Sequence, residues 1–298
     1  MTKTLFKQKK DAPAPHGLKP LRVSGASFLL AGLIGFFVFY ICPFFISVGY
    51  SFFSRPIGGT FVGFGNFIEL FGNPAYHRGL INTLRFIGIS VPLNMALSLC
   101  VAMLIGKLHK HRGLFSLIFL IPLVIPSGSM VSFWKAVFAY DGALNGFLHT
   151  VGIAKINWLD SSLAFFVMVV IFIWKNLGYN MVLYQAGLSG IPREYYEAAW
   201  VDGAKPWQTF FHITMPHLAP TSVLVLIMSI VNSFKVFKEI YLITGSYPHE
   251  SIYTLQHFMN NMFASLNYPR LTTATTVLVV IIALFTGGLL RMERKVLA

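Results

Sequence analysis

Six apolar runs, each long enough to cross a bilayer, govern what this chain can fold into. They extend from about Ser27 to Gly49, Leu80 to Ile105, Leu114 to Phe138, Ser162 to Gly187, Pro220 to Ile243 and Leu271 to Leu290. A helix of about 20 apolar residues spans the hydrocarbon core. Inside lipid each backbone N–H and C=O must be satisfied within the segment, so every run predicts a helix. The fold class that follows is all-α, a polytopic membrane protein with six transmembrane helices. Composition agrees, with 55% hydrophobic and 11% charged residues and a mean hydropathy of +0.67. The first run is too long for a signal-peptide core and has no small-residue cleavage site, so it is expected to remain as a membrane helix that Pro43 kinks or ends. Pro92, Pro122 and Pro126 are expected as kinks whose freed carbonyls neighbouring helices satisfy.

The net charge of +13 would suit a nucleic-acid binder, but most of the basic residues sit at the ends of apolar runs, where they mark topology. Residues 1–22, with Lys3, Lys7, Lys9, Lys10, Lys19, Arg22 and three prolines, read as a disordered cytoplasmic tail ahead of a membrane domain over 23–298. With the N-terminus inside, the inner segments collect the tail, Lys107, Lys110, Arg112, Arg193, Lys205, Arg291, Arg294 and Lys295. The outer loops keep Arg55, Arg78, Lys155 and Arg270, with Arg85 and Lys135 near helix ends. Both termini and the insert at 191–216 are therefore expected in the cytoplasm, in a multi-pass membrane protein. Cys42 and Cys100 lie within apolar runs and imply neither a disulfide nor a metal knuckle.

The insert Ile191–Pro216, IPREYYEAAWVDGAKPWQTFFHITMP, is the one soluble-looking stretch between long apolar runs. Pro192 suits a first helical position, Glu194 and Glu197 follow, and Gly203 offers a stop. Tyr196, Ala199, Trp200 and Gly203 share one face of this amphipathic helix. Pro206 restarts a helix carrying Trp207, Phe210, Phe211 and Thr214, which Pro216 is expected to interrupt. So short a helix-turn-helix cannot form its own core. It either docks on a partner or lies on lipid headgroups.

Glu197-Ala198-Ala199, three residues, Gly203, nine residues, Ile213, one residue and Met215-Pro216 resembles the EAA motif of permease subunits of binding-protein-dependent ABC importers, with Met215 where Leu is usual. Phe64-Gly65-Asn66-Phe67, Asn73-Pro74, Asn82-Thr83-Leu84, the run Ser233 to Tyr241, Thr254-Leu255 and the ending Leu290 to Lys295 are similar to the first-type permeases of carbohydrate importers. The resemblance implies a translocation subunit whose cytoplasmic loop couples to an ATPase through Glu197, Ala198, Ala199, Asp202, Gly203, Ile213 and Pro216. It further implies a second permease subunit in a heterodimer, two ATPase subunits that bind the ATP and Mg, and an extracytoplasmic solute-binding protein. No cofactor is expected in this chain, which has no G-x-x-x-x-G-K-[ST] phosphate loop.

A sugar pathway calls for amides, charges and aromatic faces. Lys175, Asn176, Tyr179, Asn180 and Tyr184 on the fourth run and Asn232 and Lys235 on the fifth offer that mixture, alongside Trp174 and Phe234. Three lysines, Lys175, Lys235 and Lys238, fall within predicted spans, where an unpaired charge costs about 2.5–3.5 kcal/mol on insertion scales. Glu239 stands four residues after Lys235 and is expected to pair with it. Lys238 can snorkel outward. Lys175 has no nearby carboxylate in sequence and is the leading pathway candidate. The alternative is a secondary transporter driven by ion coupling, which calls for intramembrane carboxylates, of which Glu239 is the one present. No HExxH, Cys/His cluster or Gly-x-Ser-x-Gly elbow supports an enzyme.

Overall fold

The computed structural model describes residues 25–108 and 110–297, without the side chains of 25–28, 31, 289, 290 and 292–297. The basic tail over 1–22 and His109 lie outside the described residues. Two compact units divide the chain between Ser47 and Val48. The first holds α1 (Gly25–Phe36), a π turn (Phe37–Ile41) and the start of α2 (Cys42–Tyr50). Its apolar side chains, Leu33, Phe37 and Phe39 among them, are exposed, as a lipid-facing helix requires. Pro43 does not end this helix. Cys42 N–H reaches back to Phe37 O in the widened register of the π turn, and helical structure resumes through the proline.

The second unit is built from α3 (Gly65–Phe71), α4 (Pro74–Gly106), α5 (Arg112–Val124), α6 (Ser127–Phe138), α7 (Ala143–Thr150), α8 (Ala164–Ser189), α9 (Arg193–Val201), α10 (Pro206–Thr209), α11 (Met215–Thr244), α12 (Leu255–Ala264) and α13 (Tyr268–Leu297). Five segments among the described residues are long and apolar enough to cross a membrane: Gly32–Tyr50, Pro74–Gly106, Ala164–Ser189, Pro206–Thr244 and Tyr268–Gly288. The sixth expected span, Leu114–Phe138, is broken. α5 and the helices after it bend by 96° at the break, so it counts as a sixth span only if the bent pair is taken as one. The cause is local, since Ile125, preceding Pro126, is held in an extended conformation with ψ of 127° and the proline ring disfavours helix there. Pro92 and Pro122, by contrast, sit inside α4 and α5.

The core forms around α8, which packs against α4, α5 and α11. Phe86, Met168, Ile171 and Phe172 fill one cluster, and Ala102, Met181, Tyr184 and Leu218 a second. Small residues permit these approaches. A Cβ on Gly178 would overlap the carbonyl of Phe119 in α5. Gly178→Leu is accordingly expected to abolish recovery of folded, monodisperse protein, read by size-exclusion chromatography of detergent extracts, whereas Gly88→Leu, which meets open space, is expected to leave it near parental levels.

At the far end of α4, residues Gly79, Asn82 and Thr83 share a face that receives the segment before α12. Asn82 Nδ2 donates to Glu250 O at 2.7 Å and Tyr253 O at 2.9 Å, and Leu255 N–H donates to Thr83 Oγ1 at 2.9 Å. The Asn-Thr and Thr-Leu pairs singled out in the sequence thus meet across some 170 residues. Burial lowers His257 to about 4, and its neutral Nδ1 accepts the N–H of Thr254 at 3.2 Å. Asn66 Nδ2 donates to Ser51 O and Phe53 O, both at 2.9 Å, while Asn73 caps α4, with Oδ1 accepting Ala75 N–H at 2.9 Å ahead of Pro74.

Candidate coupling loop and solute pathway

α9 runs Arg193–Val201, starting one residue later than expected, with Pro192 at its N-cap rather than at its first helical position. It ends in a Schellman turn: Gly203 adopts φ +72°, Gly203 N–H donates to Trp200 O at 3.0 Å, and Ala204 N–H donates to Ala199 O at 2.9 Å. Nothing lies within 4 Å of a Cβ built on Gly203. Glycine is needed there for its backbone, not for space.

The restart at Pro206 differs from expectation. α10, a π turn (Phe210–Thr214) and α11 join into one helical segment, Pro206–Thr244, and Pro216 does not interrupt it. Met215 N–H donates to Phe210 O, five residues back, and the missing N–H of Pro216 falls just after this widened turn. The second helix of the loop is therefore the first part of the fifth span.

This loop has a foot and a tip. Ile213 and Tyr196 pack against the cluster of Ala102, Ile105, Met181, Tyr184 and Leu218, and the Tyr196 hydroxyl lies 3.1 Å from Thr214 Oγ1. Glu197, Ala198, Asp202, Gly203 and Pro216 are exposed, and Ala199 is half-buried. Trp200 and Val201, 82% and 83% exposed, make an apolar tip that the described residues leave uncovered. Among the described residues, Glu197 and Asp202 have no ion-pair partner.

In the middle of the bundle, Lys175 on α8 pairs with Glu239 on α11, 64 residues away in sequence. The expected Lys235–Glu239 pair does not form; Lys235 Nζ donates instead to Asn232 Oδ1 at 3.0 Å. The local i, i+4 rule loses to tertiary geometry, because Glu239 faces the core with its side chain 1% exposed while Lys235 is exposed. Ser127, the first residue of α6, donates to Glu239 Oε1 at 3.2 Å, so one carboxylate ties α6, α8 and α11 together. Its Oε2 is buried and has no hydrogen-bond partner among the described residues.

A cavity of about 210 Å³ opens beside this pair. It is lined by Lys175, Asn176, Asn232, Lys235 and Glu239 over an apolar floor that includes Ile171 and Phe172. Four of the seven pathway candidates meet there. The other three do not line it: Asn180 donates from Nδ2 to Ser229 Oγ at 2.8 Å, Tyr184 is buried in the second core cluster, and Tyr179 is half-buried elsewhere on α8. Asn176 Nδ2 is satisfied by Phe172 O at 2.9 Å. Trp174 stands edge-on to Trp134, with ring centroids 5.3 Å apart. Sequence reasoning missed Glu239 as the partner of Lys175 and Ser127 as a further contact. The available signal was that Glu239 is the lone carboxylate inside the apolar runs.

Residues 95–296 match the model of the family described as "Binding-protein-dependent transport system inner membrane component". Among curated proteins, the probable ABC transporter permease protein YesP of Bacillus subtilis (strain 168) is 31% identical over 277 residues, covering 89% of this chain and 88% of that protein. The lactose transport system permease protein LacF of Rhizobium radiobacter is 30% identical, covering 92% and 95%. A crystal structure of a bacterial ABC transporter involved in the import of the acidic polysaccharide alginate shares the fold, with a TM-score of 0.80 at 23% identity over 91% of this chain and 94% of that one. The multi-pass helical body, the loop with its Gly203 turn, the family match over two thirds of the chain and relatives matched over nearly their full length agree, and the chain belongs to the family of inner membrane components of binding-protein-dependent ABC transport systems.

Proposed function

We propose that this chain is one of two different permease subunits of an ABC importer, forms half of the pathway for a carbohydrate, and takes its energy from two ATPase subunits that bind ATP and Mg. The observation that carries the reading is the exposed tip of α9. A helix held in place by Ile213 and Tyr196 and turned by Gly203 presents Trp200, Val201 and Glu197 outward, and an apolar tip rimmed by a carboxylate suits a protein groove better than water. Glu197, Ala198, Ala199, Asp202, Gly203, Ile213 and Pro216 are its coupling residues.

Carbohydrate follows from several supports. Relatives named for lactose, for trehalose and maltose and for arabinooligosaccharides align with this chain, and the cavity offers amides and charges over an apolar floor. Lys175, Asn176, Tyr179, Asn180, Tyr184, Asn232 and Lys235 form the proposed pathway region. A solute-binding protein delivers from outside, and both termini and the loop face the cytoplasm of a bacterial-type cell. Closure of the ATPase pair moves α9, and because α10, the π turn and α11 are one segment, that motion reaches Glu239 and the cavity through a continuous helix. The ion-coupled alternative loses its one intramembrane carboxylate to the pair with Lys175.

The test uses a single cysteine at position 200 in a background free of Cys42 and Cys100. In intact cells, a membrane-impermeant maleimide is expected to leave position 200 unlabelled until the cells are opened, and affinity purification of the chain is expected to recover an ATPase. Labelling from outside overturns the topology, and recovery of the second subunit without an ATPase overturns the coupling role.

A further inference from the structure

The cavity between α8 and α11 carries a positive charge that no carboxylate among the described residues neutralises. It is lined by two ammonium groups and one carboxylate, and Glu239 is engaged with Lys175. Lys235 has a neutral amide, Asn232 Oδ1 at 3.0 Å, as its partner. Three residues on, and on the same exposed face of α11, Lys238 has no ion-pair partner among the described residues. The contrast with the helix ends and loops is informative. Arg78, near the start of α4, meets Glu250 at 3.4 Å, Lys155 in the loop after α7 meets Asp141 at 2.6 Å, and Arg270, near the start of α13, meets Glu69, although water could serve those cations. Lys235 has no such carboxylate among the described residues. It lies nine residues from the end of α11, about 14 Å along the axis and inside the apolar run of the fifth span, where an ammonium without a counter-charge is costly and an arriving anion offsets that cost.

The Glu239 side chain bordering the cavity is 1% exposed, so the exposed Lys235 ammonium is the charged group an entering solute meets. At about 210 Å³ the space falls below the roughly 300–1,000 Å³ of pockets that enclose whole ligands, so it suits one unit of a longer solute. Resting on the carbohydrate reading above, we propose that the solute is an acidic saccharide. Its carboxylate or phosphate is held by Lys235 at the cavity, with Lys238 one turn further along the same exposed face of α11. The Lys175–Glu239 pair then acts as a specificity element, because it cancels one of the two cavity cations and leaves room for a single negative charge.

Galacturonate and galactose differ in having a carboxylate or a hydroxymethyl group at C6, and they serve as probes. The assembled transporter in nanodiscs without ATP is titrated with each, and binding is read by tryptophan fluorescence, to which Trp174 beside Lys175 contributes. Galacturonate is expected to half-saturate at about tenfold lower concentration than galactose, equivalent to about 1.4 kcal/mol. Lys235→Gln with Lys238→Gln is expected to bring the two probes within about twofold. Equal half-saturation in the parent overturns the acidic assignment while leaving a carbohydrate pathway standing, whereas a galacturonate preference that survives both substitutions overturns the role of these lysines. A parent that shows no saturable response to galacturonate also overturns the proposal, and the wider carbohydrate reading is judged separately by transport.

Discussion

Lys175→Leu is expected to destabilise the purified protein by about 3–5 kcal/mol, because it strands Glu239 in the core without its cation. In a chain of this size that corresponds to a fall in melting temperature of roughly 10 °C. Removing a charge from a spanning helix by itself favours insertion, so on sequence grounds alone a leucine here is expected to keep insertion and reduce transport. Tertiary structure adds a cost in stability, since Glu239 has a side chain 1% exposed while Lys175 is 23% exposed. The carboxylate therefore bears most of the loss. Lys175→Leu combined with Glu239→Leu removes both charges and is expected to recover most of the stability, as apolar replacement of a buried pair often does. Lys235→Leu, which removes an exposed hydrogen bond to Asn232 and no ion pair among the described residues, is expected to change stability little. Thermal unfolding in detergent, followed by fluorescence for all four proteins, decides the matter. Equal effects of Lys175→Leu and Lys235→Leu would remove the pair as a structural tie.

Gly203→Val is expected to leave the protein folded in the membrane and to abolish coupling. Its φ of +72° lies in the left-handed region, where a residue with a Cβ is disfavoured by roughly 1–2 kcal/mol and a β-branched one more so. The Schellman bonds from Gly203 and Ala204 then open, and α9 loses its fixed angle to α10. Gly203→Asn is the informative control, because asparagine tolerates this conformation and open space surrounds the position. Asparagine is expected to retain most of the solute-stimulated ATP hydrolysis, whereas valine is expected to lose at least about tenfold. Glu197→Ala, which removes an exposed carboxylate and leaves the turn intact, is expected to weaken ATPase retention. Parental hydrolysis in both Gly203→Val and Glu197→Ala would show that the loop lies idle.

How much of this was legible in the sequence depended on the range of the interaction. Apolar runs located the spans, since length and composition alone set them, and the Gly203 turn could be read because a left-handed residue after a short helix has a local signature. The break at Pro126 could not be read from hydropathy, as the residues on both sides are equally apolar. The rule that a residue preceding proline leaves the helix applied, but Pro92 sits under the same rule inside α4, so the rule did not choose between them. Lys175 and Glu239 are 64 residues apart, and nothing local links them; the nearer Lys235 satisfied the only spacing rule available. Asn180 was readable as a buried amide needing a partner, but not that Ser229 supplies it. The helical continuity from Pro206 to Thr244, which connects the loop to the cavity, was hidden because Pro216 reads locally as a stop.

The central claim is that nucleotide hydrolysis below the coupling loop drives a saccharide past Lys175 and Glu239. Its most direct test is solute accumulation in proteoliposomes that hold this chain with the second permease subunit and ATPases proposed for it. The expected result is uptake that requires both ATP on the side of Trp200 and solute-loaded binding protein on the other, and that is lost with Gly203→Val. Accumulation driven by an ion gradient, with no ATP present and with Gly203→Val fully active, would contradict it.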